Sequence, residues 1–212
     1  GTGANDLARS SYAGKGVYKS TDAGATWQFM GLPESHHIAR IVVHPTDPNT
    51  VWVAAMGHLF SRNEERGVFR TRDGGDTWTK VLYIDDGTGA IDLVINRESP
   101  NTLFAAMYEK HRMPWQLVLG GPGTGVYRTD DGGTTWQQLE GLPSGDVGRI
   151  GLDLNQASGV LHAVVENVNP RPVGWPARHD ACSPDREISG STIGNEVYRS
   201  EDGGGSWTKT HG

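Results

Sequence analysis

Apolar residues in this chain fall into short runs separated by turn residues, with no long helical stripe. Ile38-Ala-Arg-Ile-Val-Val43 leads through Thr46-Asp-Pro-Asn-Thr50 to Val51-Trp-Val-Ala-Ala-Met56. Ile91-Asp-Leu-Val-Ile-Asn96 and Leu103-Phe-Ala-Ala-Met107 flank Ser99-Pro-Asn-Thr102 in the same way. Val147-Gly-Arg-Ile-Gly-Leu152 and Val160-Leu-His-Ala-Val-Val165 flank Asn155-Gln-Ala-Ser-Gly159. Runs of this length, rich in β-branched residues and bounded by Pro, Asn and Gly, predict pairs of antiparallel strands.

A second hairpin interleaves with these pairs. Its opening strand is Gly16-Val-Tyr-Lys19, Gly67-Val-Phe-Arg70, Gly125-Val-Tyr-Arg128 or Glu196-Val-Tyr-Arg199. Its turn is a phrase that returns four times: Ser20-Thr-Asp-Ala-Gly-Ala-Thr-Trp27, Thr71-Arg-Asp-Gly-Gly-Asp-Thr-Trp78, Thr129-Asp-Asp-Gly-Gly-Thr-Thr-Trp136 and Ser200-Glu-Asp-Gly-Gly-Gly-Ser-Trp207. Asp22, Asp73, Asp131 and Asp202 can accept hydrogen bonds from the N–H groups of their own turns. Gly24, Gly75, Gly133 and Gly204 supply positive φ. Trp27, Trp78, Trp136 and Trp207 open the next strand with a large apolar surface. Four equivalent copies point to a structural part, since a catalytic carboxylate is needed once.

The turn Asp residues lie 51, 58 and 71 positions apart, near the period of a propeller blade, with loops absorbing the growth. The expected fold is therefore all-β: a β-propeller of about three and a half four-stranded blades that forms part of a larger propeller. The half blade covers 16–30, and complete blades cover 38–83, 91–139 and 148–209. The last carries a long insertion at 167–195, and a shorter one runs from Tyr108 to Gly123. An unpaired strand edge on the half blade would call for further chain or another polypeptide.

Composition narrows the function classes. Thirty glycines suit many tight turns. A net charge of −6 without a basic stripe argues against nucleic acid as a partner. Cys182 is the single cysteine, so no internal disulfide can form, and nothing around it suggests a catalytic thiol. No run has the length of a membrane-spanning helix, and no signal peptide is visible. The start at Gly1, inside what reads as a repeat, suggests a mature product or a fragment. His36, His37, His58 and His111 lack zinc-type spacing, so no metal and no cofactor is expected.

The turn phrase Ser/Thr-x-Asp-x-Gly-x-Ser/Thr-Trp resembles the Asp-box of bacterial neuraminidase repeats. Together with His37-Ile-Ala-Arg-Ile-Val, Asn63-Glu-Glu-Arg-Gly-Val-Phe, Gly89-Ala-Ile-Asp-Leu-Val and Gly121-Pro-Gly-Thr-Gly-Val-Tyr, it is similar to the bacterial sortilin-type, or vacuolar-protein-sorting-receptor-type, propellers often labelled glycosyl hydrolase. The resemblance implies an exported propeller, periplasmic, extracellular or membrane-attached, that binds peptides or proteins. A sialidase resemblance would imply three arginines, a Tyr–Glu pair and an Asp acid. Arg40 and Arg149 occupy matching repeat positions, and Asp92 takes the corresponding place between them. An Arg–Asp network between blades accounts for them as well.

Glycosidase chemistry needs two carboxylates across the scissile bond. Glu65 and Glu109 are candidates, and no spacing selects a pair. The leading expectation is accordingly a non-enzymatic binding or scaffold module for a protein, peptide or surface ligand. Arg112, Trp115 and Trp175 on the inserted loops are its expected anchors. The alternatives are a sialidase-like glycoside hydrolase or carbohydrate-binding propeller, and a structural subunit of a larger membrane complex.

Overall fold

The computed structural model describes residues 1–4, 11–175, 178–180, 183–188 and 192–211. The first turn phrase closes a two-stranded hairpin of β1 (Tyr18–Lys19) and β2 (Gln28–Phe29). A four-stranded sheet follows, with β3 (Ile38–Val43), β4 (Val51–Ala55), β5 (Gly67–Thr71) and β6 (Thr79–Leu82) in spatial order. The next sheet has β7 (Thr88–Ile95), β8 (Leu103–Arg112), β10 (Gly125–Thr129) and β11 (Gln137–Gln138) in order, with β9 (Leu117–Leu119) on the far end of β8. The last contains β12 (Val147–Leu154) and β13 (Leu161–Pro170). After the ribbon of β14 (Arg178–Asp180) and β15 (Ser183–Ile188), it continues with β16 (Thr192–Ser200) and β17 (Thr208–His211). All ladders are antiparallel. The chain is all-β, with three four-stranded propeller blades behind one hairpin.

Small residues allow the blades to approach one another. Ala54, Ala90 and Ala105 join Trp52, Val68, Leu93 and Met107 in one buried cluster, while Ala106 and Ala163 join Ile91, Phe104, Ile150 and Leu152 in the next. The middle blade buries both faces of β7 and β8, so these strands read as apolar runs without alternation.

Neighbouring blades are also tied by a recurring hydrogen bond. The basic residue before each of the first three Asp turns donates to the carbonyl of a turn glycine one blade further on. Lys19 Nζ reaches Gly74 O at 3.2 Å, Arg70 Nη1 reaches Gly132 O at 2.7 Å, and Arg128 Nη1 reaches Gly203 O at 2.9 Å. Indoles add to the stitching: Trp78 Nε1 donates to Met30 O at 2.6 Å and Trp52 Nε1 to Gly132 O at 3.0 Å. Trp27 immediately precedes β2 of the first hairpin and is 63% exposed.

The two insertions carry more strand than expected from the sequence. β8 runs on to Arg112, where Lys110, His111 and Arg112 pair with Leu119, Val118 and Leu117. β13 runs on to Pro170, paired with Thr192. Extending a ladder satisfies backbone groups that a structureless loop would leave to solvent. Cys182 lies outside the described residues.

Candidate functional site

An up-and-down meander sends its connections alternately to two ends of the sheet. The four Asp turns and the first-to-second-strand turns share one end. Connections from second to third strand, and from one blade to the next, share the other, and the loops there are the long ones.

At the turn end, the same bonds recur four times. Ser20, Thr71, Thr129 and Ser200 each donate a hydroxyl hydrogen to the following Asp, at 2.6–2.8 Å. Those same oxygens accept the N–H of Gly24, Gly75, Gly133 and Gly204. Each Asp accepts the N–H four residues on, at 2.9 Å, and the hydroxyl of that same residue. Bonding from the Thr26 hydroxyl first, then from the Thr26 N–H and Ser20, holds the Asp22 carboxyl down at about 2. Asp73, Asp131 and Asp202 are lowered further by equivalent partners. These carboxylates are occupied by their own turns.

On the inner strands, Arg40 and Asp92 meet: Arg40 Nε donates to Asp92 Oδ1 at 2.9 Å. Asp92 Oδ1 also accepts Leu93 N, and Asp92 Oδ2 accepts Leu152 N at 3.0 Å. One carboxylate thus joins β3, β7 and β12. Arg149 is not part of this contact. Its backbone N–H donates to Glu166 Oε2 at 3.1 Å.

The loop end has no repeat. Arg66 is fully buried, and its guanidinium donates to Gly87 O at 3.1 Å, Lys110 O at 3.2 Å and Ser61 O at 3.2 Å, and to His58 O. Burial lowers it to about 10, so it remains charged at neutral pH. Arg62 pairs with Asp86 at 2.7 Å. Asn63 bridges loops by accepting His58 N and donating to Glu34 O and to Glu65 Oε2 at 3.0 Å. This ties Glu65 to the Glu34 backbone through Asn63.

Glu109 and Glu166 share a mode of support. The Glu109 carboxylate lies on Gly121, where an added Cβ would fall 1.9 Å from Oε2, and Glu166 lies on Gly148, where the same distance would be 2.3 Å. Between them Gly120 meets Val147 O, at 2.0 Å from a built Cβ. The two acids therefore flank one backbone contact between adjoining blades. A cleft of about 760 Å³ opens beside it, lined by Gly121, Pro122, Leu139, Glu140, Asp146 and Val147 among others. Burial raises the nearby Tyr108 hydroxyl, as does the Glu166 charge, while Arg149 opposes the shift.

Glu196 stands where the other complete blades open their third strand with Gly67 and Gly125. Its side chain is 5% exposed. It accepts Asn167 Nδ2 at 2.7 Å, Tyr198 OH at 2.9 Å and Lys209 Nζ at 2.6 Å. Burial alone would raise this carboxyl, and the three donors together hold it below its ordinary value. Tyr198 is pushed up to about 12 by burial and by its bond to Glu196.

Of the expected anchors, Trp115 is 80% exposed at the tip between β8 and β9. Arg112 donates its backbone N–H to Leu59 O at 2.8 Å. Trp175 has the Arg171 guanidinium 5.7 Å from its ring centre. Glu166 and Glu196 were missed by sequence reasoning. A signal for Glu196 was present, since it breaks the glycine column of the repeat.

No family model matches the chain. It is 26% identical over 168 residues to a xyloglucanase from Paenibacillus sp., covering 71% of this chain and 16% of that protein. It is 26% identical over 140 residues to a probable oligoxyloglucan-reducing end-specific xyloglucanase from Neosartorya fischeri, covering 61% of this chain and 15% of that one. The chain therefore spans less than a fifth of these relatives. Among solved structures, the GH74 enzyme of Niastella koreensis superimposes with a TM-score of 0.62 at 21% identity, over 92% of this chain and 26% of the other. That likeness establishes the propeller fold. The relatives bear enzyme names, and they overturn the expectation of a non-enzymatic binding scaffold. Acids brought together from different blades have no fixed spacing, so spacing alone selects no carboxylate pair. Sortilin-type proteins are not among these matches.

Proposed function

We propose that this chain is a portion of an extracellular glycoside hydrolase whose substrate is a xyloglucan-type β-glucan. The observation carrying this reading is its similarity, over 61–71% of its length, to proteins named xyloglucanases. The four turns are read as Asp-boxes, and their matching hydrogen-bond sets support that reading. Among the described residues, no helix is long and apolar enough to cross a membrane.

The loop end is the catalytic side in this reading. Glu109 and Glu166 are the carboxylates proposed to act on the sugar, one protonating the leaving oxygen while the other supports the opposite face. Asp92 is a poorer choice, because three donors already occupy its oxygens. Trp115 is proposed to offer a glucan ring a stacking surface, in line with its exposure.

The test is release of reducing ends from xyloglucan, with cellulose and aryl sialosides alongside, by the protein that carries this chain. Glu109→Gln and Glu166→Gln should each lower kcat by about 100-fold or more, the usual range for removal of a general acid or base. Turnover of sialosides alone, or full xyloglucan turnover in both variants, would refute the assignment.

A further inference from the structure

At the same loop end, on other loops than Glu109 and Glu166, one cluster of side chains among the described residues has metal-ligand chemistry. Glu34 and His36 belong to the connection from the first hairpin to β3, and His58 to the loop after β4. The His36 and His58 rings stack at 3.7 Å between centres and 16° between planes. Glu34 Oε2 lies 3.3 Å from His58 Nε2 and 3.7 Å from His36 Nε2. One ligand atom from each residue falls within 4.8 Å of the others.

Two further features set the cluster apart from a chance surface grouping. The backbone there is strained: Leu32 lies in the left-handed region with φ 58° and ψ 46°, and His36 has φ 47° with ψ −49°, outside the commonly allowed regions. Strain of this kind persists where surrounding structure imposes it, and it gathers at functional sites. Here the His36 backbone donates nothing to a strand ladder, yet His36 O accepts Gly14 N at 2.6 Å and so fixes the turn. In addition, His58 Nε2 is buried with no hydrogen-bond partner, although it faces the Glu34 carboxylate. Its other nitrogen contacts Ser61 Oγ at 3.0 Å. An unprotonated Nε2 facing a carboxylate is repelled by it, and either a proton on Nε2 or a metal ion between the two groups removes that repulsion.

We infer that Glu34, His36 and His58 form a binding site for one divalent transition-metal ion of zinc type. Two imidazoles and a carboxylate are a borderline donor set suited to zinc and its neighbours, with bonds of about 2.0–2.2 Å. Tetrahedral bonds of that length set ligand atoms roughly 3.3 Å apart. The His58–Glu34 separation already meets this, and His36–Glu34 is within half an ångström of it. The stacked rings must turn out of parallel, a rotation about side-chain torsions only. Glu65, held by Asn63, adds negative charge beside His36. The ion would tie the connection before β3 to the loop after β4, leaving a coordination position to solvent.

The experiment uses the whole protein, stripped with a chelator and titrated with Co²⁺, then with Zn²⁺ against a chromophoric chelator. The wild type should develop the intense visible band of four- or five-coordinate cobalt at one equivalent, and Zn²⁺ should bleach it. His58→Ala and His36→Asn should each weaken zinc binding by more than about 100-fold, beyond the 10–100-fold loss typical when only an outer-shell partner of a ligand is changed. Asn tolerates positive φ, so His36→Asn keeps the backbone even if His58→Ala fails to fold. His211→Ala should bind as the wild type does. A wild type that leaves cobalt with the weak band of its hydrated ion, or His36→Asn binding zinc with unchanged affinity, would overturn the proposal.

Discussion

The two ends of these blades are built on opposite principles. At the turn end, four Asp residues repeat one set of bonds, each closed within about five residues of chain. At the loop end, bonds join residues far apart in sequence and no two blades agree. Arg66 reaches Gly87 and Lys110, Asn63 reaches Glu34, and Asn169 Nδ2 reaches Ser144 O. Repetition marks what every blade needs in order to fold. Divergence marks where blades were free to take different chemistry, because a rigid scaffold beneath tolerates change in its loops.

That contrast breaks most readily at Arg66. Arg66→Met leaves four carbonyls without their donor in a buried place, and should cost about 3 kcal/mol or more in denaturant unfolding. If Met were neutral, loop-end bonds would matter no more than solvent does.

Glu196→Gln comes next, at about 1–3 kcal/mol, since it strips the carboxylate charge from Lys209 while keeping the shape. The wild-type carboxyl is held below its ordinary value, so its contribution is present above pH 4.5 and is lost as pH falls through the lower folded value. The variant should lack that part of the acid limb. An unchanged stability profile below pH 4.5 would contradict the assignment.

The turn end should govern stability at still lower pH. Asp22 falls to about 2 from an ordinary 3.8, and the other three turn carboxyls fall further. Their depressed values mean that stability is fully present above about pH 4 and is lost as pH drops toward 2 and below. Asp73→Asn combined with Asp131→Asn should flatten this part of the curve. A parallel acid limb in the double variant would show that the turns do not set it.

The smallest effect should come from Asp22→Asn. Its hairpin has only two strands, and its Trp27 is exposed, whereas Trp78 bonds to Met30 O in the neighbouring unit. The thermal midpoint of Asp22→Asn should therefore fall less than that of Asp131→Asn. Equal losses would mean that the turn acts alone, without help from packing between blades.

Legibility followed the same division. Strand pairs, turn phrases and their glycines were readable because each obeys a short period, and the structure finds those strands where the apolar runs lie. Arg40 and Asp92 were readable as partners because they occupy the same step of the repeat, facing Ala54 and Ala106. Arg149 was placed with them, but it lies about five residues before the end of β12, whereas Arg40 and Asp92 lie about three before the ends of β3 and β7, and an apolar count does not fix where a strand ends. The meeting of His36 with His58, and the placing of Glu109 on Gly121 and of Glu166 on Gly148, depend on how separate loops are set by the blades below. No spacing rule reaches such pairs, and for the same reason the sequence favoured a non-enzymatic module.

The most direct test of this division is to measure kcat/KM on xyloglucan and the thermal midpoint together for Glu109→Gln and Asp73→Asn. The account predicts that Glu109→Gln loses about 100-fold or more in kcat/KM with its midpoint unchanged, while Asp73→Asn melts earlier and keeps wild-type kcat/KM when assayed folded. The reverse pattern, with activity lost at the turn and stability lost at Glu109, would contradict it.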